Sequence, residues 1–226
     1  MSSPSSPARG RPARLDRART LQTALALLNQ SGLDALTMRR LADAMDVRAG
    51  ALYRYFATKQ DLLTAMAERM MEGVAESAAA MADGDWSERL AALARAQRTA
   101  LLAHRDGARV FAGTHSTGAS TLGFADAFVG VLREAGFSDG DAARALYTVA
   151  NYTVGHTLEE QAALQPGDGA PEGAGLLRGA VTAGTYPHLS ATLPTLTSTD
   201  FASLFEFGLD LLVEGLRGRH APSAVK

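Results

Sequence analysis

The spacing of apolar residues is the feature that most constrains the fold of this chain. From Leu21 almost to Leu216, apolar side chains recur at intervals of three and four residues, whereas the alternating pattern of a half-buried strand is scarce. This spacing places apolar groups on one side of a helix, and that side must pack against other helices. The sequence therefore predicts an all-α protein.

Length and composition narrow the class of protein. The chain has 226 residues, which favours two compact units or one unit with a small appendage. No apolar run approaches the ~20 residues of a membrane-spanning helix, and Met1 to Arg14 contain no apolar segment typical of a secretory signal. Because there is no cysteine, disulfides, thiolate-zinc sites and cysteine nucleophiles are excluded. We expect a soluble, cytoplasmic protein.

Charge is distributed unevenly along the chain. Residues 1–60 contain ten Lys or Arg and four Asp, a net charge of +6, so the remainder carries −8 of the total of −2. A basic segment joined to an acidic body is typical of a protein that docks one end on a polyanion such as DNA. A solvated basic tail is the alternative interpretation.

The first sixty residues have the pattern of a helix-turn-helix. Asp16 can cap a first helix that ends near Gly32, and Thr37 can cap a second helix. Only Asp46-Val47-Arg48 separates the second helix from a third one that carries Leu52 and Phe56. Two short helices joined by such a turn and braced by a preceding helix form this DNA-binding motif.

The outer side of the third helix suits the major groove of DNA. If Leu52 and Phe56 face the core, Gly50, Ala51, Tyr53 and Arg54 lie on the other side. The small residues allow close approach of the backbone, Arg54 or Arg48 can donate two hydrogen bonds to guanine, and Tyr53 can reach a phosphate. A surface helix with incidental arginines is the alternative.

Beyond Lys59 the helices become longer, and glycine- or proline-rich stretches separate them. Residues Gln165 to Gly175 are predicted to form a mobile loop because they are rich in Gly and Pro and poor in apolar residues. The predicted helices cover Asp61 to about Met81, Trp86 to His104, Leu122 to Ala135, Asp139 to Leu164, Leu176 to Ala183 and Thr199 to Leu216.

The segment LTMRRLADAMDVRAGALYRYFATKQDLLTAM, Leu36 to Met66, resembles the DNA-binding signature of the TetR family of bacterial repressors. Two positions depart from that signature: Tyr55 replaces the usual His, and Asp46 replaces the usual Gly of the turn. The small residues at the start of the third helix imply a different operator from that of the tetracycline repressors. The positions that the resemblance assigns to DNA binding are Thr37, Met38, Arg39, Ala49, Gly50, Ala51, Tyr53, Tyr55 and Lys59, to which Arg48 and Arg54 are added as base readers.

The C-terminal sequence resembles the tetracycline-repressor branch of the same family in DWSERL, ALLAHRDGARVFAGT, VLREAGFSDGDAARALYTVANYTVGHTLEEQ and FEFGLDLLVEGL. The resemblance implies a pocket that senses a small molecule, closed partly by a second copy of the chain. It also implies a dimer in which Asp139 to Leu164 and Thr199 to Leu216 form a four-helix bundle. The expected ligand-binding residues are Gln97, Phe111, His115, Phe124, Phe128, Asn151, Tyr152, His156 and Glu159.

Phe111 stands where that branch has a histidine that ligates the magnesium of the bound drug. Because a phenyl ring cannot ligate a cation, we predict an effector other than magnesium-tetracycline, apolar or aromatic with a few polar groups. His156 and Glu160 stand four residues apart, yet two ligands on one helical turn do not specify a metal site. We predict no metal, no cofactor and no catalytic site.

The predicted organisation is a flexible basic arm at 1–14, a DNA-binding domain at 15–60 and a ligand-binding and dimerisation domain at 61–218. Within the arm, Arg9-Gly10-Arg11-Pro12 resembles a minor-groove AT-hook, with a solubilising tail as the alternative. The predicted function is a ligand-responsive transcriptional regulator that represses as a homodimer on a palindromic operator. The alternatives are an activator or architectural DNA-binding protein, and a helical carrier or enzyme.

Overall fold

The computed structural model describes residues 16–81, 84–164 and 170–220, and the arm predicted at 1–14 lies outside them. Within the described residues there are twelve helices and no strand, so the predicted all-α class is confirmed. The helices are α1 Arg17–Ala35, α2 Met38–Ala44, α3 Ala49–Leu52, α4 Lys59–Met70, α5 Val74–Met81, α6 Trp86–Leu102, α7 Gly107–Ala112, α8 Ala119–Glu134, α9 Asp139–Leu164, α10 Ala170–Ala183, α11 Pro187–Leu196 and α12 Phe201–His220.

The helix starts predicted in the first sixty residues are confirmed. The Asp16 carboxylate accepts a hydrogen bond from the Arg19 N–H at 2.7 Å, and the Thr37 hydroxyl accepts one from the Arg40 N–H at 3.1 Å. Helix α1 continues to Ala35, but it is kinked at Gly32, where φ is +77°. The sequence thus predicted the break in helical geometry at Gly32, but it did not predict that the helix continues from Leu33 to Ala35.

The helix predicted from Asp61 to Met81 is in fact two helices. Helix α4 ends at Met70 and α5 begins at Val74, with Gly73 at a φ of +74° between them. Continuous apolar spacing on both sides concealed the break, because one glycine within a helical pattern is not decisive.

The loop predicted at 165–175 is partly wrong, since residues 170–175 belong to α10, whereas 165–169 lie outside the described residues. A proline near a helix start lacks only an N–H that would have no partner in the helix, so Pro171 does not prevent α10 from forming. Helices α7 and α11 were not predicted: α7 has six residues, and α11 contains Pro187 and Pro194.

The apolar side chains form two cores. The first joins α1, α2, α3 and α4 around Leu28, Leu41 and Met66, and it extends to Leu101 and Val110 of α6 and α7. The second core joins α5, α6, α8, α9 and α12. Because the first core crosses residue 60, the predicted domain boundary there remains a prediction.

Polar contacts connect the end of α1 to the segment between α6 and α7. The Leu33 N–H donates to the Asp106 carboxylate at 2.7 Å, and Arg109 donates two hydrogen bonds of 2.8 Å to Asp34. The Gln161 amide of α9 donates to the carbonyls of Leu101 and His104 at 3.1 and 2.7 Å. This junction fixes the N-terminal helices on the body. In the described part of the chain, no helix is both long and apolar enough to cross a membrane.

Candidate functional site

The turn between α2 and α3 holds the two helices of the motif in a fixed relation. The Val47 N–H donates to the Ala42 carbonyl at 3.0 Å, and Asp46 adopts a φ of +53°. Aspartate tolerates this left-handed backbone better than most residues, so it can replace glycine here. Helix α3 ends at Leu52, so the predicted third helix is wrong in its extent: Tyr53, Arg54 and Phe56 lie in the turn that follows it. Leu52 and Phe56 are nevertheless buried at 0% and 2% exposure, which fixes α3 and this turn on the first core.

Most of the predicted DNA-contacting residues lie on the exposed side of this motif. Thr37, Arg39, Arg48, Gly50, Tyr53, Arg54 and Tyr55 are exposed, and Ala49, Ala51 and Lys59 are half-buried. Met38 differs from the others, because its side chain is buried in the first core and only its backbone can face a ligand. The structure thus gathers the predicted set on one surface around α3, with Met38 beneath it.

The electrostatics of this surface leave positive charge available. No described carboxylate lies within ion-pair distance of Arg39, Arg48 or Arg54. A side chain added at Gly50 would meet no described atom within 4 Å, so packing within the chain does not require glycine there. The three guanidinium groups and the exposed backbone at Gly50 can therefore contact a polyanion such as DNA.

The predicted ligand-binding residues fall into three groups. Gln97, Phe124 and Phe128 are buried, and Phe111 packs between the two cores. The Gln97 Oε1 accepts no hydrogen bond from any described residue, although the side chain is only 1% exposed. An unpaired acceptor in an apolar interior favours a ligand that brings a donor.

Tyr152 and His156 form the second group beside Phe205. The Tyr152 hydroxyl donates to the Phe205 carbonyl at 2.9 Å, and its ring stacks on the Phe205 ring with centroids 5.5 Å apart. The His156 ring meets the same ring edge-on at 5.4 Å. Burial lowers the pKa of His156, Glu160 opposes this and Arg98 adds to it, so the imidazole is neutral at pH 7.

The third group lies on the surface of the chain. His115 lines a recess of about 830 Å³ with Arg17 and Asp61, and Glu159 lines one of about 330 Å³ with Phe201. Asn151 is exposed on α9. A single chain therefore does not bring all nine residues into one cavity.

Sequence reasoning missed the ion pair of Arg98 and Glu160. The Arg98 guanidinium donates to both Glu160 oxygens at 2.7 to 3.0 Å, and it lies 5.1 Å from the Phe205 ring centroid. From the sequence alone, Glu160 stands out only because it lies four residues from His156. The one available signal was the position of Arg98, which directly follows the buried residues Ala96 and Gln97 on α6. A charged side chain at such a position needs a partner of opposite charge.

An apolar surface remains exposed on α9 and α12, the helices predicted to form the dimer. Tyr147 is 72% exposed, Phe207 67% and Leu211 60%. Such exposure of large apolar side chains is typical of a surface that another chain covers.

Two family models match the chain. The model of bacterial regulatory proteins of the tetR family matches residues 21–66, and the model of the tetracyclin repressor-like C-terminal domain matches residues 78–219. The chain belongs to the TetR family. The predicted family is thereby confirmed, and with it the class of protein, a ligand-responsive transcriptional regulator.

Individual members of the TetR family are similar over nearly the whole chain. The tetracycline repressor protein class A from transposon 1721 of Escherichia coli is 43% identical over 200 residues, which cover 88% of this chain and 89% of the repressor. A crystal structure of a possible TetR family transcriptional regulator from Streptomyces coelicolor A3(2) is 77% identical with a TM-score of 0.85, covering 90% of this chain and 99% of that one. BioQ, crystallised with its natural double-stranded DNA operator, is 31% identical with a TM-score of 0.65, covering 90% and 98%.

Proposed function

We propose that this regulator binds a palindromic operator as a homodimer through the surface around α3 and is released from it by a small molecule. The observation that carries the proposal is the exposed surface on which Arg39, Arg48 and Arg54 have no described acidic partner. Phosphates would supply the missing counter-charges, and guanine could accept two hydrogen bonds from one arginine. Such a regulator acts in the cytoplasm, where the operator is.

A homodimer is required because one motif reads only one half-site. The exposed side chains of Tyr147, Phe207 and Leu211 support a bundle formed by α9 and α12 with those of a second copy. Two recognition helices must then lie about 34 Å apart, or a multiple of it, to enter successive major grooves. A shift of a few ångströms in either DNA-binding motif would remove several contacts with DNA at once. The distance between the two recognition helices is therefore the property that an effector can control.

The effector that we propose is apolar or aromatic with a few polar groups. The half-buried ring of Phe111 between the two cores supports this choice, as does the unpaired buried Oε1 of Gln97. Phe111 occupies the position of the metal-ligating histidine of the tetracycline-repressor branch, so we expect no release from operator DNA by micromolar tetracycline with magnesium. Release at that concentration would overturn the argument from Phe111.

Selection of duplexes from a random pool, followed by DNase footprinting, tests the DNA-binding proposal. We expect a palindromic footprint whose affinity falls steeply with salt. Tyr53→Ala should weaken binding to all duplexes, whereas Arg54→Ala should relax the preference at one base position by about 1–3 kcal/mol. Arg133→Ala is the matched control, since that arginine is exposed on α8 and pairs with Asp139 at 2.7 Å. Binding without sequence preference, or equal losses for Arg54→Ala and Arg133→Ala, would contradict the proposal.

A further inference from the structure

The start of α8 is capped by a residue from another helix. Gly118, in the N-cap position, offers no side chain, and the N–H groups of Ser120 and Thr121 instead donate to the Glu68 carboxylate of α4. The hydroxyls of Ser116 and Thr121 donate to the same carboxylate at 2.9 and 2.7 Å. Glu68 thus satisfies N–H groups that the helix itself cannot satisfy, and its charge lies at the positive end of the helix.

The close approach depends on Gly118. A Cβ atom added there would lie 2.3 Å from the Glu68 Cδ and 2.6 Å from both carboxylate oxygens. Any larger residue would therefore displace the carboxylate. Burial by itself would raise the pKa of Glu68, but the hydrogen bonds from Thr121, Ser120 and Ser116 outweigh burial and lower that pKa. The carboxylate is ionised at pH 7, as a helix cap requires.

Helix α4 is connected to both ends of the segment between α7 and α8. The Gln60 side-chain amide donates to the Gly113 carbonyl at 2.8 Å, and Glu68, two turns later on α4, holds the far end at Ser116 and Ser120. The same helix places Leu62 and Met66, both fully buried, in the core that supports α3. A displacement of the α8 start is therefore transmitted to the helix on which the DNA-binding motif rests.

We infer that Glu68 is a positioning residue that couples the start of α8 to the DNA-binding motif, so that effector binding beside α8 and operator binding influence each other through this carboxylate. The inference rests on the proposed function. Helix α8 carries Phe124 and Phe128 of the expected ligand-binding set about one and two turns beyond Thr121, so a ligand that moves α8 displaces the N–H groups that Glu68 binds. Coupling of this kind is reciprocal, and DNA can therefore stand in for the unknown effector as the probe.

A pair of variants separates coupling from simple capping. Glu68→Ala removes the cap, and the thermal midpoint should fall by about 2–4 °C. In Glu68→Ala/Gly118→Ser, the serine finds the room that the carboxylate vacated and caps α8 from its own chain position. We expect this double variant to regain the midpoint and the slow amide exchange of Ser120 and Thr121, but without the carboxylate that links the α8 start to α4.

The deciding measurement is amide hydrogen exchange of the α8 start, with and without a duplex selected by the wild-type protein. In the wild type, the duplex should change the exchange rates of Ser120 and Thr121 by ~5-fold or more. In the double variant that change should fall below about 2-fold. A double variant that retains the full DNA-dependent change, or a wild type that binds the duplex without any change, would overturn the coupling role. Failure to select any duplex would instead overturn the proposed function and, with it, this inference.

Discussion

The DNA-binding motif (α2 and α3) and the sensing half of the chain (α5 to α12) use most of their arginines in opposite ways. Around α3, Arg39, Arg48 and Arg54 are exposed, and no described carboxylate pairs with them. In the sensing half, Arg98 pairs with Glu160, and Arg95 donates three hydrogen bonds to Glu206 at 2.6 to 3.0 Å. The first region thus keeps its positive charge for a partner outside the chain, whereas the second pairs most of its arginines with carboxylates of the same chain. Charge that is left unpaired on a rigid surface indicates a binding role more clearly than the total charge does.

The largest expected effect tests whether the two cores are separate units of stability. Phe56 and Phe128 are 2% and 1% exposed, one in each core, so Phe56→Ala and Phe128→Ala should each lower the free energy of unfolding by about 3–5 kcal/mol. We expect Phe56→Ala to abolish operator binding and to raise amide exchange mainly in α1 to α3. Phe128→Ala should raise exchange mainly in α6, α8 and α9. Equal exchange increases throughout the chain in both variants would mean that the regions unfold as one unit.

A smaller loss of stability is expected when one partner of an ion pair is removed, and the loss should depend on how deeply the pair is buried. The side chains of Arg98 and Glu160 are 16% and 9% exposed, whereas those of Arg109 and Asp34 are 49% and 81% exposed. Glu160→Ala leaves a half-buried guanidinium without its partner, so the free energy of unfolding should fall by about 2–3 kcal/mol. Asp34→Ala should cost clearly less than Glu160→Ala, because water and salt screen the exposed pair, and the loss should shrink further in high salt.

Chemical denaturation of Glu160→Ala and Asp34→Ala at low and high salt measures the two losses in the free energy of unfolding. Arg98→Ala/Glu160→Ala completes a double-mutant cycle for the buried pair, and we expect the double variant to lose less than the sum of the single losses. Equal costs for the exposed and the buried pair would contradict the view that the sensing half depends on internal neutralisation.

The sequence was most informative where structure is local. Asp16 and Thr37 cap helices through N–H groups three residues away, so their roles could be predicted from spacing alone. The role of Asp46 in the turn was implied by the resemblance to the TetR signature. Arg98 and Glu160 are separated by 62 positions, and Glu68 and Ser120 by 52. Periodicity carries no information about which helices become neighbours, and these contacts therefore could not be predicted. The same limit applies to the ligand-binding residues, whose distribution over three groups depends on how α6, α8 and α9 pack.

The smallest effects on stability are expected at two aspartates with left-handed backbone. Asp46 lies in the turn between α2 and α3, and Asp106 lies between α6 and α7. Asp46 has a φ of +53° and is exposed, and Asp106 has a φ of +57°, is 5% exposed and accepts the Leu33 N–H at 2.7 Å. Asp46→Gly should raise the free energy of unfolding by up to about 0.5 kcal/mol, because glycine relieves the left-handed strain but also gains freedom in the unfolded chain. Asp106→Gly relieves the same strain and leaves the Leu33 N–H without its acceptor, so a net loss of about 1–2 kcal/mol is expected. Denaturation of the two variants beside the wild type measures the difference, and a stabilising Asp106→Gly would mean that the bond to Leu33 contributes nothing to holding α1 on the body.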